Sequence, residues 1–225
     1  MIATVQLADV GVGKVLSQIR RRPMPGEVKG LRQADIGITA PIGPRQRNPP
    51  QPGRLGCVAF WDDDAAVDRY FDEHPFAAAL AGGWRVRLDP LRLYGSWHGV
   101  PDDLPKSRTV DAPGPFAVLT LARLRASQAV RFVRTSAKAE RPVADAPGKI
   151  WASVVALPPF VATVSLWESG DALADYAFRP DGGHNSAILE QRRKDFHRES
   201  AFIRFRPYGS EGGLAGRNPL LASWM

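Results

Sequence analysis

The stretch that decides the fold is "TVSLWESGDALADYA", Thr163 to Ala177, because it repeats an earlier stretch, "CVAFWDDDAAVDRYF", Cys57 to Phe71. In each, an apolar run ends at a tryptophan and is followed by Ser or Asp residues of the kind that begin helices. A strand followed by a helix is therefore predicted twice. Two aromatic residues recur at a spacing of 106: Trp61 with Trp167, and Tyr70 with Tyr176.

Three further matches extend the repeat over the whole chain. "ATVQLADV" from Ala3 aligns with "AVLTLARL" from Ala117 at a spacing of 114, and "GLRQADIGITAP" from Gly30 aligns with "GKIWASVVALPP" from Gly148 at 118. "LRLYGSW" and "FRPYGSE" then close the two halves, again at 114. The spacing changes only between elements, as insertions in loops would change it. We therefore predict two tandem copies, residues 1–110 and residues 111–225.

Each copy has the element order βαββαβ, which is the ferredoxin-like split unit. In the first copy the predicted strands are 3–8, 31–40, 55–61 and 91–94, and the predicted helices are 14–21 and 64–72. Helices cover one face of such a sheet and leave the other bare, so the second copy must bury it. The predicted fold class is α+β, with tandem ferredoxin-like repeats forming a single-chain dimeric α+β barrel. The two sheets either pack face to face or close into a barrel.

Composition indicates the cellular location of the protein and the partners that it can bind. A single cysteine among 225 residues and no signal-peptide pattern favour a reducing, cytoplasmic location. The longest uncharged run, Trp151 to Trp167, is split by Pro158 and Pro159 and indicates two strands and a turn rather than a membrane span. The net charge of +7 permits peripheral contact with an anionic membrane. No recognition helix or other nucleic-acid motif is present, so no nucleic-acid partner is expected.

Six motifs resemble one known family: "YGSWHG" from Tyr94, "AVLTLARLR" from Ala117, "VRFV" from Val130, "TVSLW" from Thr163, "YAFRPDGGHNSAI" from Tyr176 and "ESAFIRF" from Glu199. Together they resemble the spheroidene monooxygenases, or acyclic-carotenoid ketolases, of the haem-containing dimeric α+β barrel group. The resemblance implies a haem-dependent monooxygenase that oxidises a hydrophobic small molecule. It also implies haem b (iron) as cofactor, O2 as co-substrate, and a ferredoxin or reductase as electron donor.

His184 is the candidate metal ligand. It follows the Gly182-Gly183 pair at the start of a helix-like run, so its imidazole can point into the space between helix and sheet. The residue types alone leave a capping or core histidine open, and the family alignment favours an axial haem ligand. Ile188, one turn later, would then lie under the macrocycle. The rival ligand is Cys57, which sits in a strand where a buried cysteine is usually inert.

The remaining candidates surround that site. Arg125 and Arg204 match the family pattern and would meet the haem propionates, since guanidinium groups suit planar carboxylates. Trp167 would line the cofactor pocket, although its repeat at Trp61 favours a role in the fold. Trp97 and His98 are the catalytic candidates, with His98 either a distal acid/base or an exposed side chain.

Three alternatives stay open at this stage. They are a haem lyase of the aldoxime-dehydratase type, a non-catalytic haem or small-ligand-binding barrel, and a cofactor-free oxygenase. The internal duplication removes the need for a dimer, and it leaves a homo-oligomer open.

Overall fold

The computed structural model describes residues 1–43, 49–106, 113–125, 146–178 and 197–221. The first copy contains β1 Ile2–Asp9, a 3-10 turn Val12–Lys14, α1 Val15–Arg20, β2 Leu31–Pro41, β3 Gln51–Trp61, α2 Asp64–Glu73, α3 Pro75–Leu80 and β4 Trp84–Gly95. The second contains β5 Phe116–Leu124, β6 Lys149–Leu157, β7 Phe160–Trp167, α4 Gly170–Phe178 and β8 His197–Gly212. The predicted boundary after residue 110 lies outside the described residues.

The eight strands form one closed antiparallel barrel. The first copy is ordered β4-β1-β3-β2 and the second β8-β5-β7-β6, which is the same order twice. Two seams join the copies: β2 pairs with β6, and β4 pairs with β8. The tandem α+β barrel predicted from the sequence is therefore confirmed, and the sheets close into a barrel rather than stacking as open layers.

The duplication extends to the register of the sheets. Gln6 lies opposite Cys57 in the first copy, and Thr120 lies opposite Thr163 in the second. These four positions are related by the spacings found in the sequence, 114 and 106 residues. Because a slip of one residue would turn every side chain to the other face, the shared register requires the same inside-outside pattern in both copies.

A glycine lies against the start of α2 in the first copy and of α4 in the second. Gly30 has a φ of 80° and Gly148 a φ of 71°, a region that L side chains rarely adopt. The Gly30 carbonyl accepts a hydrogen bond from the Asp62 amide at 2.9 Å, and the Gly148 carbonyl accepts one from the Glu168 amide at 2.8 Å. A Cβ on either glycine would lie 2.5 Å from the Cβ of an alanine on that helix, so the close approach also excludes any side chain.

The barrel interior is a continuous apolar core. Seven of the eight strands, β1 and β3 to β8, contribute buried apolar side chains to it. Fully burying one such aromatic or aliphatic side chain contributes about 1.5–3 kcal/mol. The interior core includes Val5, Leu7, Phe60, Trp84, Leu88, Leu119, Val155, Val164, Leu166, Ile203 and Phe205.

In the first copy the helices cover the outer face of three strands. Val67 and Tyr70 of α2, Phe76 of α3 and Val15 of α1 are buried against the outer face of β1, β2 and β3. Asp63 begins α2 by accepting a hydrogen bond from the Ala66 amide at 2.8 Å, which confirms the predicted acidic cap.

Two features differ from the predicted elements. β4 begins at Trp84, well before the predicted residue 91, and α3 was not predicted. Because Trp84, Val86 and Leu88 alternate inward with arginines pointing outward, the early half of β4 has an ordinary strand pattern. The run between Trp151 and Trp167 forms β6 and β7 as predicted, with a turn at Pro158-Pro159.

Candidate functional site

The outer face of the second sheet is the strongest candidate for a cofactor or substrate surface. One row of residues crosses five strands in direct register on this face. The row is Tyr94, Phe202, Thr120, Thr163 and Val154. A parallel row lies beside it, formed by Arg92, Arg204, Val118, Ser165 and Ala152. Most of these side chains are short, so the face is flat.

Equivalent positions on the outer faces of the two copies are buried to different extents. In the first copy Gln6 is 1% exposed and Cys57 is 2% exposed, because α2 and α3 pack over them. Their counterparts Thr120 and Thr163 are only half-buried, as are Val118 and Val161. Since a duplicated fold would bury both faces alike, the second face has a surface that the described elements do not fill.

Two arginines stand at one edge of this face. Arg204 of β8 lies between Val118 of β5 and Arg92 of β4 in the register. Burial, followed by the neighbouring Arg92 cation, lowers the pKa of Arg204. Two arginines paired in the register of neighbouring strands favour the approach of an anion with planar carboxylates.

Trp167 closes the opposite side of the face. Its indole Nε1 donates a hydrogen bond to Ser165 Oγ at 3.0 Å, and its ring lies 5.0 Å from that of Tyr176 on α4. Trp61 and Tyr70 form the same pair at 4.8 Å in the first copy. Burial raises the pKa of Tyr176 to about 12, so the phenol stays protonated at neutral pH. The pair therefore has a structural role in both copies, and in the second it also borders the candidate surface.

His184 and Ile188 lie outside the described residues, so the predicted metal ligand and its neighbour stay predictions. Arg125 is exposed, just beyond the end of β5. Arg204 pairs with Val118, seven residues earlier in that strand, and seven extended residues span about 23 Å. The fold therefore places the two predicted propionate ligands far apart, and it brings Arg92 to Arg204 instead.

Trp97 and His98 lie at one end of the barrel. Trp97 is buried within the interior core, 6.0 Å from the ring of Phe160, whereas the side chain of His98 is exposed. The His98 backbone amide donates a hydrogen bond to Glu199, which holds this loop on the barrel. Trp97 thus faces the interior and not the outer face that carries Arg204.

A polar cluster closes the barrel beneath this loop. Arg123 donates to Asp35 at 3.1 Å and to Glu199 at 3.4 Å, and its guanidinium lies 5.0 Å from the centre of the Trp97 ring. Asp35 is only 8% exposed and also accepts a hydrogen bond from Gln33 at 3.0 Å. Because each carboxylate in this cluster is paired, a buried charge is tolerated at the barrel end.

Cys57 is poorly suited to bind a metal. The thiol lies under the packed helices of the first copy, and burial raises its pKa far above the usual range. Since the thiolate is the form that binds metal, the rival ligand is disfavoured. In the described ranges no group of three or more His, Cys, Asp or Glu side chains is arranged to hold a metal ion.

A separate groove of about 360 Å³ opens where β6 begins and β7 ends. Its walls include Lys149, Trp151, Glu168 and Arg217. Charges of both signs line this groove, and it does not include the arginine pair of the outer face. Among the described residues, no helix is both long and apolar enough to cross a bilayer.

Fold and site together define a single-chain α+β barrel whose second half has an outer face that the described elements do not fill. Comparison with characterised proteins confirms the resemblance predicted from the motifs, because the chain is similar to three spheroidene monooxygenases. It is 33% identical to the spheroidene monooxygenase of Rubrivivax gelatinosus over 75% of this chain and 66% of that protein. It is 28% identical to that of Rhodobacter capsulatus, over 92% of this chain and 88% of the relative.

The chain spans just under two thirds of the Rubrivivax relative and about half, 52%, of a third spheroidene monooxygenase, from Cereibacter sphaeroides. Among solved structures, an aldoxime dehydratase crystallised with butyraldoxime shares the fold, with a TM-score of 0.51 and 9% identity over 92% of this chain and 79% of the other. A putative monooxygenase from Fusobacterium nucleatum has a TM-score of 0.41 at 12% identity, over 95% of each chain. No protein-family model matches the chain.

Proposed function

We propose that this chain is a haem-dependent monooxygenase that oxidises a hydrophobic small molecule with O2. The names of its relatives suggest an acyclic carotenoid such as spheroidene as the substrate class. The observation that carries the proposal is a difference between the copies: Gln6 and Cys57 are buried in the first copy, whereas their counterparts Thr120 and Thr163 are half-buried in the second. A flat face on which most side chains are short suits a planar macrocycle or a polyene.

The described residues fit a haem in three respects. Val118, Thr120 and Thr163 offer a flat surface, Trp167 closes one side, and Arg204 with Arg92 offers cations for two carboxylates. His184 would supply the imidazole ligand from the helical side. Bound haem would supply the activation of O2 that protein side chains lack. The chain itself would orient the substrate and exclude water, and a ferredoxin or reductase would deliver electrons.

The test uses the full chain loaded with haem. The wild type is expected to show a Soret band that is lost or shifted in His184→Ala. His74→Asn is the matched control, because it also removes an imidazole but lies at the junction of α2 and α3 in the first copy. A chain that neither carries haem nor takes up added hemin overturns the haem proposal. An equal loss of the Soret band in His184→Ala and His74→Asn would exclude His184 as the ligand.

A lyase of the aldoxime-dehydratase type is the second candidate, because the barrel shares its fold with such an enzyme. Lyase chemistry consumes no oxygen, whereas a monooxygenase takes up O2 in step with its product. O2 uptake measured with an acyclic carotenoid and a reductant therefore separates the two activities. For both activities we propose a cytoplasmic location.

A further inference from the structure

The outer layer of the first copy carries an unusual surface between residues 12 and 24, which we name the α1 surface. Val12 is 67% exposed, Leu16 is 58% exposed and Met24 is 38% exposed. Three of the six large hydrophobic side chains that are exposed in the described part of the chain thus lie within thirteen residues. Apolar side chains scattered singly need no explanation, but a cluster of this kind marks a contact surface.

These apolar side chains point away from the barrel. Val15 and Gln18 of α1 are buried against the first sheet, so they fix the inward side of the helix. Val12, Leu16 and Arg20 are spaced four residues apart and form a stripe on the opposite side. The exposure therefore follows from how α1 is anchored.

Cations surround the stripe. Residues 10–30 contain five lysines and arginines and one carboxylate, Glu27, so this segment holds more than half of the net charge of +7. Lys14, Arg20, Arg21 and Arg22 are all exposed. Within the described residues, none of the four forms an ion pair. Arg22 donates a hydrogen bond to the Ile19 carbonyl at 3.3 Å, which holds its guanidinium at the end of α1.

We propose that the α1 surface docks the protein on an anionic lipid bilayer, with Val12 and Leu16 entering the interface and Arg20, Arg21 and Arg22 contacting lipid phosphates. A short amphipathic element with a basic rim lies in the plane of the interface. Charge complementarity selects anionic lipid, since cations near such a surface each add to binding. The docking does not depend on the haem chemistry proposed above.

The experiment is flotation of the full chain with vesicles of phosphatidylcholine alone and of phosphatidylcholine mixed with phosphatidylglycerol. The wild type is expected to float with the mixed vesicles at low salt, and less at high salt because the charges are screened. Replacing Arg20, Arg21 and Arg22 together by Gln is expected to lower the partition coefficient about 100-fold, at roughly fivefold per cation. Leu16→Ser is expected to lower it about tenfold by removing inserted apolar area.

Matched controls keep the test specific. Lys106, Arg198 and Arg217 are exposed cations elsewhere on the chain, and replacing all three by Gln removes the same charge. Leu221 is 51% exposed, so Leu221→Ser matches Leu16→Ser. Circular dichroism confirms that each variant is folded.

The proposal is overturned if the control triple variant loses as much binding as the arginine variant, or if mixed vesicles do not carry the wild type. Retention on DNA without flotation would assign the surface to nucleic acid and would equally overturn it. Loss of haem or of oxygenase activity leaves the flotation result unchanged, so failure of the proposed function is distinguishable.

Discussion

At the scale of single residues, the two copies keep the same aromatic pair and differ in the side chains beneath it. Tyr70 donates a hydrogen bond to Gln6 at 2.9 Å, which ties α2 to β1. The position equivalent to Gln6 in the second copy is Thr120, whose shorter side chain is half-buried. The shorter Thr120 leaves more space on the outer face of the second copy, while Trp167 still contacts Tyr176 of α4.

Arg204→Gln is expected to weaken hemin binding at least tenfold, because charge-assisted hydrogen bonds to carboxylates are each worth about 1.5–3 kcal/mol. Arg206→Gln is the control, because Arg206 is exposed and pairs with Asp89 at 2.6 Å. Titration of hemin followed at the Soret band measures both. Equal affinities in the two variants would exclude Arg204 from the site.

Folding stability is expected to depend on pH through His74, which lies at the junction of α2 and α3. His74 Nδ1 accepts a hydrogen bond from the Phe76 amide at 3.1 Å, and burial lowers the pKa of His74. The folded state thus prefers the neutral imidazole. The neutral imidazole contributes its full stabilisation of the folded state above the ordinary histidine pKa of about 6.5. This stabilisation is lost as the pH falls through the lowered pKa of His74.

His74→Asn keeps an accepting oxygen at this position without a titrating group. Between about pH 8 and pH 5, the wild type should therefore lose free energy of unfolding relative to the variant. Urea denaturation at both pH values measures the difference. Parallel pH profiles for the two proteins would contradict the assignment.

At the scale of elements, the seams between the copies depend on close backbone contact. A Cβ on Gly37 would lie 2.4 Å from the carbonyl carbon of Ala156, across the join of β2 and β6. Gly209 also lies at a seam, but a Cβ there would meet Arg87 at an ordinary 3.6 Å.

Gly37→Ala should therefore destabilise the protein by about 3 kcal/mol through overpacking at the seam. Gly209→Ala should change the free energy of unfolding by less than about 1 kcal/mol, the range of well-tolerated substitutions. Chemical denaturation of both variants measures the contrast. Equal losses would mean that the seam relaxes around the added methyl group.

The elements also show what a sequence can and cannot predict. The repeated Trp and Tyr spacing predicted β3, α2, β7 and α4, because local pattern and repeat agree. α3 was not predicted, because a helix of six residues that begins at Pro75 gives too short a pattern. The pairing of Arg92 with Arg204 could not be predicted either, because it depends on the seam register between β4 and β8. The different burial of equivalent outer-face residues in the two copies could not be predicted either, because it depends on how the helices pack.

At the scale of the whole molecule, the barrel makes the two copies dependent on each other. Each sheet has an apolar inner face, and the other copy buries it in one shared interior core. Trp84 of the first copy lies 5.2 Å from Trp151 of the second across this core. Either copy alone would expose its inner face to water, which is unfavourable by about 25 cal/mol per Å² of apolar surface.

The two copies are therefore expected to unfold in a single transition, although their sequences are separate repeats. Labelling with 5-fluorotryptophan places a ¹⁹F probe at each of the six tryptophans, among them Trp61 in the first copy and Trp167 in the second. Both signals should disappear at the same urea concentration, since two-state unfolding gives coincident transitions for all probes. Trp61→Phe and Trp167→Phe assign the signals. If the Trp61 signal persisted after that of Trp167 was lost, the first copy would be stable with its inner face uncovered, and the shared core would not be what holds the barrel together.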